Sequence, residues 1–251
     1  MMKQIKSTTT LILVALVFSA CSHEIENITP AQQRQNKYEA AFMQAFHTNI
    51  DPKNDWGFGN TRVADDSDEA FSPSAITRAK KDPDQTVYYS GRVFCEDLGS
   101  SADFDFNDVV FDVDIYGSGR IEIEVLAHGG TLPVSVADVP ITMGQMTNTG
   151  VNTDTPQRID IPAATAKANG WLDVIDIPIV VRQTQAGEVD TYELTAKAGQ
   201  VPQKICTHKG VLWPLEYTRI DQAYPQFKEY VAAWHTDWTT EVYPENLYRD
   251  L

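Results

Sequence analysis

The sequence predicts a mainly β protein: an antiparallel β-sandwich, jelly-roll-like in form, with an N-terminal and a C-terminal helix packed on it. Three observations carry that expectation. Val109, Phe111, Val113 and Ile115 alternate with Asp108, Val110, Asp112 and Asp114, the period of two that buries one face of a strand and wets the other. Gly117-Ser118-Gly119 then turns the chain, and Ile121, Ile123 and Val125 alternate with Glu122 and Glu124 on the way back, which reads as a hairpin. The other β-rich runs are short and divided by Gly and Pro, without the regular intervening helices of a βαβ sheet.

The elements follow in chain order. Residues 1–20 read as a leader: Lys3 and Lys6 supply positive charge, and Leu11 to Phe18 form an apolar run too short to span a bilayer. Ser19 and Ala20 precede Cys21, a pattern similar to the lipobox of bacterial lipoproteins, in which the cysteine becomes the lipidated first residue. Phe18 departs from the aliphatic residue usual there. The alternative is an ordinary cleaved leader with an incidental cysteine. Residues 21–60 hold a helix and a loop. Thr29-Pro30-Ala31-Gln32 has a cap, a proline at the first helical position and a glutamine three residues after the threonine. Tyr38, Phe42, Ala45 and Phe46 then mark one apolar face, and Asp51-Pro52 ends the helix near residues 49–52. Trp56 and Phe58 are expected to pin the following loop to the core. Residues 61–85 are charged and poor in apolar side chains, a linker or mobile excursion.

Residues 86–251 form the sandwich. Val87, Tyr88, Tyr89, Val93 and Phe94 favour a strand, and the hairpin described above follows. Further strands are expected at Leu132–Val136, Arg158–Ile161, Leu172–Arg182 and Tyr192–Lys197, with a turn at Gln185-Ala186-Gly187. A terminal helix is expected from Ile220 to Trp234, with Phe227, Tyr230, Val231 and Trp234 on one face.

Composition narrows the function. A formal charge of −15 repels phosphates and excludes nucleic acid as a partner. After loss of the leader about 230 residues remain, enough for one sandwich with a helical appendage. Cys95 and Cys206 leave two readings open, a disulfide in an oxidising envelope or two buried thiols. Neither they nor the five histidines have zinc-ligand spacing. GxSxG, phosphate-loop and dinucleotide signatures are missing. Carboxylates are so abundant that a glycosidase pair can always be picked, which empties that signal of meaning.

The informative stretch is CEDLGSSADFDFNDVVFDVD, from Cys95. No Lys or Arg occurs between Arg92 and Arg120. Two carboxylates ~4 Å apart repel by about 1 kcal/mol in water and roughly 4 kcal/mol near a protein surface, so packing them needs a counter-charge. Oxygen-only ligands point to calcium, since zinc and copper prefer other donors and magnesium tolerates a crowded protein cage poorly. Asp103, Asp105 and Asn107 alternate with Phe104 and Phe106. Extended backbone would set the oxygens on one side and sink the rings on the other. Asp108 stands where an EF-hand loop requires glycine, which excludes that motif. A turn at Gly99-Ser100-Ser101-Ala102 would fold Glu96 and Asp97 back toward the same ion. The metal candidates are therefore Glu96, Asp97, Asp103, Asp105, Asn107 and Asp108. Asp112 and Asp114 fit the wet face of their strand. Hydrogen bonds from loop N–H groups compete with a metal for these carboxylates, Asp108 above all.

At these residues the chain resembles a family. VFCEDLGSSADFDFNDVVFDVDI, YEAAFMQAFHTNIDPKNDWGF at residues 38–58 and WPLEYTRIDQAYPQFKEYVAAW at residues 213–234 are similar to the LruC-domain lipoproteins, a Gram-negative group common in gut Bacteroides. The resemblance covers most of the mature chain. It implies a lipid-anchored β-sandwich of the outer membrane, on its surface or periplasmic face, with a calcium-binding acidic loop and no enzyme mechanism to carry over. The expected role is non-enzymatic binding, adhesion or surface assembly. The alternative is a glycan-binding module or weak glycoside hydrolase. Trp213, Trp234, Trp238, Tyr217, Tyr224, Tyr243 and Tyr248 bear on that choice: exposed they stack on sugars, buried they pack the terminal helix.

Overall fold

The structure is a computed structural model that describes residues 29–57, 61–62, 82–98, 103–142, 156–185, 187–233 and 236–248. The leader, Cys21, Phe58, the turn at residues 99–102, most of the charged linker, Ala186 and Trp234 lie outside the described residues. Two antiparallel sheets face each other, as the alternating pattern requires. Helix α1 (Pro30–Phe46) precedes them, with the Thr29 hydroxyl accepting the Gln32 N–H at 3.2 Å. It ends earlier than Asp51-Pro52 would dictate, because His47 turns left-handed and its N–H caps Met43 O. Tyr38, Phe42 and Phe46 form the buried face.

The larger sheet is built on β2 (Val87–Cys95), β3 (Val109–Tyr116) and β4 (Ile121–Ala127), and β7 (Gln157–Ile161) pairs beyond β4. The other edge of β2 is shared end to end by β1 (Thr61–Arg62) and β10 (Lys204–Thr207). Two residues of the expected linker are thus a strand. The smaller sheet has the order β6-β5-β8-β9, with β5 at Val134–Val136, β6 at Val139–Pro140, β8 at Ile179–Gln185 and β9 at Glu188–Glu193. Among the described residues no helix is long and apolar enough to cross a membrane.

Several elements differ from the sequence expectation. The strand expected over Leu172–Arg182 starts only at Ile179, because Asp173 and Asp176 reciprocally cap a 3-10 turn at Val174–Asp176. The strand expected over Tyr192–Lys197 runs instead over Glu188–Glu193. Helix α2 (Ala163–Asn169) and strand β10 were not expected. The terminal helix is two, α3 (Ile220–Ala223) and α4 (Phe227–Ala232). Pro225 lies between them, and it lacks a donor and pushes Tyr224 out of helical backbone. Cys95 and Cys206 are buried free thiols. On the paired strands Cys95 sits opposite Lys204 and Cys206 opposite Val93, so the two cysteines are out of register.

The core positions the acidic loop. Phe104 lies among Tyr38, Phe42 and Phe46 of α1, with ring centres 5.3, 5.4 and 5.8 Å away. Phe106 lies 6.3 Å from Phe227 of α4. Each buried ring contributes roughly 1.5–3 kcal/mol, so both terminal helical regions clamp the loop through its phenylalanines.

Candidate metal centre

The loop leaves β2 at Cys95 and re-enters the sheet at β3. The Asp108 N–H donates to Cys95 O at 3.1 Å, and the Glu96 N–H donates to Gln203 O at 2.9 Å. Between these ties the backbone is not extended, contrary to the sequence expectation. Leu98, Phe104 and Phe106 all have left-handed backbone, with φ of 60°, 56° and 55°. That conformation costs roughly 1–2 kcal/mol per non-glycine residue. Alternating it still sinks Phe104 and Phe106 into the core while keeping Asp103 and Asp105 together.

Glu96, Asp103 and Asp105 each place a carboxylate oxygen within 4.8 Å of the others. Glu96 and Asp105 are buried and Asp103 is half-buried. Glu96 Oε2 accepts the Phe106 N–H at 3.3 Å, whereas Glu96 Oε1 is buried with no hydrogen-bond donor. Asp105 accepts the Asn107 N–H at 3.2 Å and the Tyr217 N–H at 2.9 Å. Burial pushes the Glu96 carboxyl well above its ordinary range, and the charges of Asp108, Asp105 and Asp103 push it further. Asp105 is raised to about 8, first by burial and then by Asp103. Burial also raises Asp103 and Asp108. Such a cluster needs protons or a cation to persist.

The other three candidates lie next to this triad rather than within it. Asp108 Oδ2 accepts the Asp97 N–H at 2.7 Å. The Asn107 amide donates to Pro214 O at 3.1 Å, and its buried Oδ1 has no donor. Asp97 is buried, and a Cβ at Gly130 would stand 2.6 Å from Asp97 Oδ2 and 3.0 Å from Asp108 Oδ1. A Cβ at Gly129 would stand 2.8 Å from both Asn107 O and Asn107 Oδ1. The pair Gly129-Gly130 therefore admits the loop, a role the sequence reading missed although adjacent glycines after a strand signal close backbone approach. The contacts from Pro214 and Tyr217 were also missed, since no local pattern ties residues 107 and 112 positions apart.

Asp112 and Asp114 point elsewhere. Arg92 holds Asp112 in a two-pronged pair at 2.6 and 3.0 Å, and Lys209 meets Asp114 at 2.8 Å. Asp112 is buried, so its expected wet position is corrected: Arg92, opposite it on β2, neutralises it. The aromatic residues of the tail are mostly core. Trp213 stacks on Tyr248 at 4.8 Å, and Tyr224 and Trp238 are buried, while Tyr217 and Tyr243 are exposed.

Comparison with family models, curated proteins and solved structures finds no match to this chain.

Proposed function

We propose that the chain is a lipid-anchored cell-envelope protein whose β-sandwich is stabilised by calcium, and that it serves binding, adhesion or surface assembly rather than catalysis. The observation that carries the metal reading is Glu96 Oε1, a buried carboxylate oxygen without a donor in a triad whose oxygens lie within 4.8 Å. An unpaired buried polar group costs roughly 1–3 kcal/mol, and more when charged. A divalent cation removes that cost, and calcium alone among common cations suits six to eight oxygens on an adaptable frame. Glu96, Asp103 and Asp105 would hold the ion, with Asp97, Asn107 and Asp108 beside them as the remaining oxygen sources. The anchoring at Cys21 and the outer-membrane location rest on the leader pattern and on the resemblance to LruC-domain lipoproteins.

Calorimetric titration of the mature chain with calcium tests this reading. Saturable heat is expected, with Asp105→Asn weakening the affinity by tenfold or more, about 1.4 kcal/mol. Absence of heat with the unaltered chain would refute the metal assignment.

A further inference from the structure

The exposed tyrosines of the tail stand apart from its buried aromatic residues. Tyr217 is 74 % exposed and Tyr243 is 48 % exposed. Tyr217 also has left-handed backbone, with φ of 60°, a conformation that disfavours any side chain carrying a Cβ. Two hydrogen bonds hold that turn: the Tyr217 N–H to Asp105 Oδ2, and the Thr218 N–H to Leu215 O, both at 2.9 Å. The acidic loop therefore fixes a strained turn that carries an aromatic ring into solvent. Strain of this kind collects at functional positions.

Beside this turn lies an open depression of about 510 Å³ lined by Thr218, Gln222, Tyr243, Glu245 and Asn246. Two hydrogen bonds tie its walls together. The Asn246 amide donates to Gln222 O at 2.7 Å, and the Tyr243 N–H donates to Ala223 O at 2.8 Å. The Thr218 hydroxyl, the Gln222 amide and the Glu245 carboxylate make no hydrogen bond among the described residues. A shallow polar surface with the Tyr243 ring beside unengaged hydroxyl, amide and carboxylate groups has the chemistry of a sugar ring. Its C–H face lies on an aromatic, and its hydroxyls take both donors and acceptors. The single charged lining residue is an acid on a chain of formal charge −15, which disfavours anionic ligands.

A second open cleft offers a contrast. On the face of the larger sheet, a cavity of about 360 Å³ is lined by Asp114, Glu124, Arg158 and Lys209 among others. Its charges satisfy one another: Lys209 meets Asp114 at 2.8 Å, and Arg158 meets Glu124 at 3.1 Å.

We infer that the depression between Thr218, α3 and the turn at Pro244–Asn246 is a subsite for a neutral glycan, presented by the acidic loop through Asp105. This names a ligand class for the binding role proposed above and rests on that role. Affinity electrophoresis of the mature chain through gels containing starch, mixed-linkage β-glucan, xylan or mannan provides the test. Retardation by at least one polysaccharide is expected. Tyr243→Ala should weaken it about tenfold. Tyr88→Ala, which removes a 45 % exposed ring elsewhere, and Arg158→Ala in the charged cleft should leave it unchanged. Free migration in all four gels, retardation that survives Tyr243→Ala, or its loss in Arg158→Ala would each overturn the site. Calcium-dependent melting of the same preparations is read in parallel. An intact calcium response without glycan retardation rejects the subsite alone, and a missing calcium response rejects the metal reading.

Discussion

Glu96 decides the chemistry of the loop, because its Oε1 is the buried oxygen that only a proton or a cation can satisfy. Replacing it by Gln removes the charge and keeps the shape. In calcium-free buffer near pH 8, Glu96→Gln should therefore stabilise the fold by about 1–3 kcal/mol, whereas in saturating calcium it should destabilise it. Opposite signs in the two buffers, read by chemical denaturation, distinguish a ligand from a merely buried acid. The same groups set a pH dependence. The folded chain keeps a proton on Asp105 up to about 8, while an unfolded aspartate releases it near about 4. Between those values the folded state binds more protons than the unfolded one. Calcium-free stability should thus fall as pH rises through that window, the opposite of an ion-paired aspartate. Calcium must displace those protons, so its stabilising effect should grow over the same range. Denaturant midpoints at pH 5 and 8, with chelator and with calcium, check both slopes; calcium-free stability that rises with pH would contradict them.

At the scale of elements, the loop depends on the approach of Gly129-Gly130. A Cβ at Gly130 would meet Asp97 Oδ2 at 2.6 Å and Asp108 Oδ1 at 3.0 Å. Gly130→Ala should destabilise the protein by roughly 1–3 kcal/mol and weaken calcium binding, whereas Gly170→Ala has open space and pays only for its left-handed backbone. If Gly130→Ala leaves calcium affinity intact, the close packing of loop and glycines is not what shapes the site. The elements also show which features a sequence makes legible. The β3–β4 hairpin was readable because alternation is enforced locally by one buried face. The N-terminal helix was readable from Thr29-Pro30, whose cap and proline act within one turn. Strand β10 was not: it spans four residues and opens on Lys204, a buried lysine whose ammonium donates to Ile177 O at 2.8 Å. Helix α2 was missed because AATAKAN offers one buried residue, Ala166, and no apolar stripe. In the site, residue types announced the carboxylates. Which three converge was illegible, because left-handed backbone at Phe104 and Phe106 replaces the extended chain that the alternation implied.

For the whole molecule, the acidic loop is a hub rather than an edge. Helix α1 packs on Phe104, α4 packs on Phe106, and the segment from Pro214 to Ile220 is tied to the loop at three points. The Asn107 amide donates to Pro214 O, the Tyr217 N–H donates to Asp105 and the Ile220 N–H donates to Phe104 O. Both terminal segments thus meet at one charged centre. An ion there stabilises more than a loop, and chelation should lower the stability of the entire fold. The melting temperature of the mature chain with calcium or with EDTA, alongside Asp105→Asn, measures this most directly. At a calcium concentration of 100 Kd the gain is about 2.7 kcal/mol, which for a chain of this size raises melting by roughly 5–10 °C. That rise is expected for the unaltered protein and little or none for Asp105→Asn; identical melting in calcium and EDTA would contradict a structural ion at this centre.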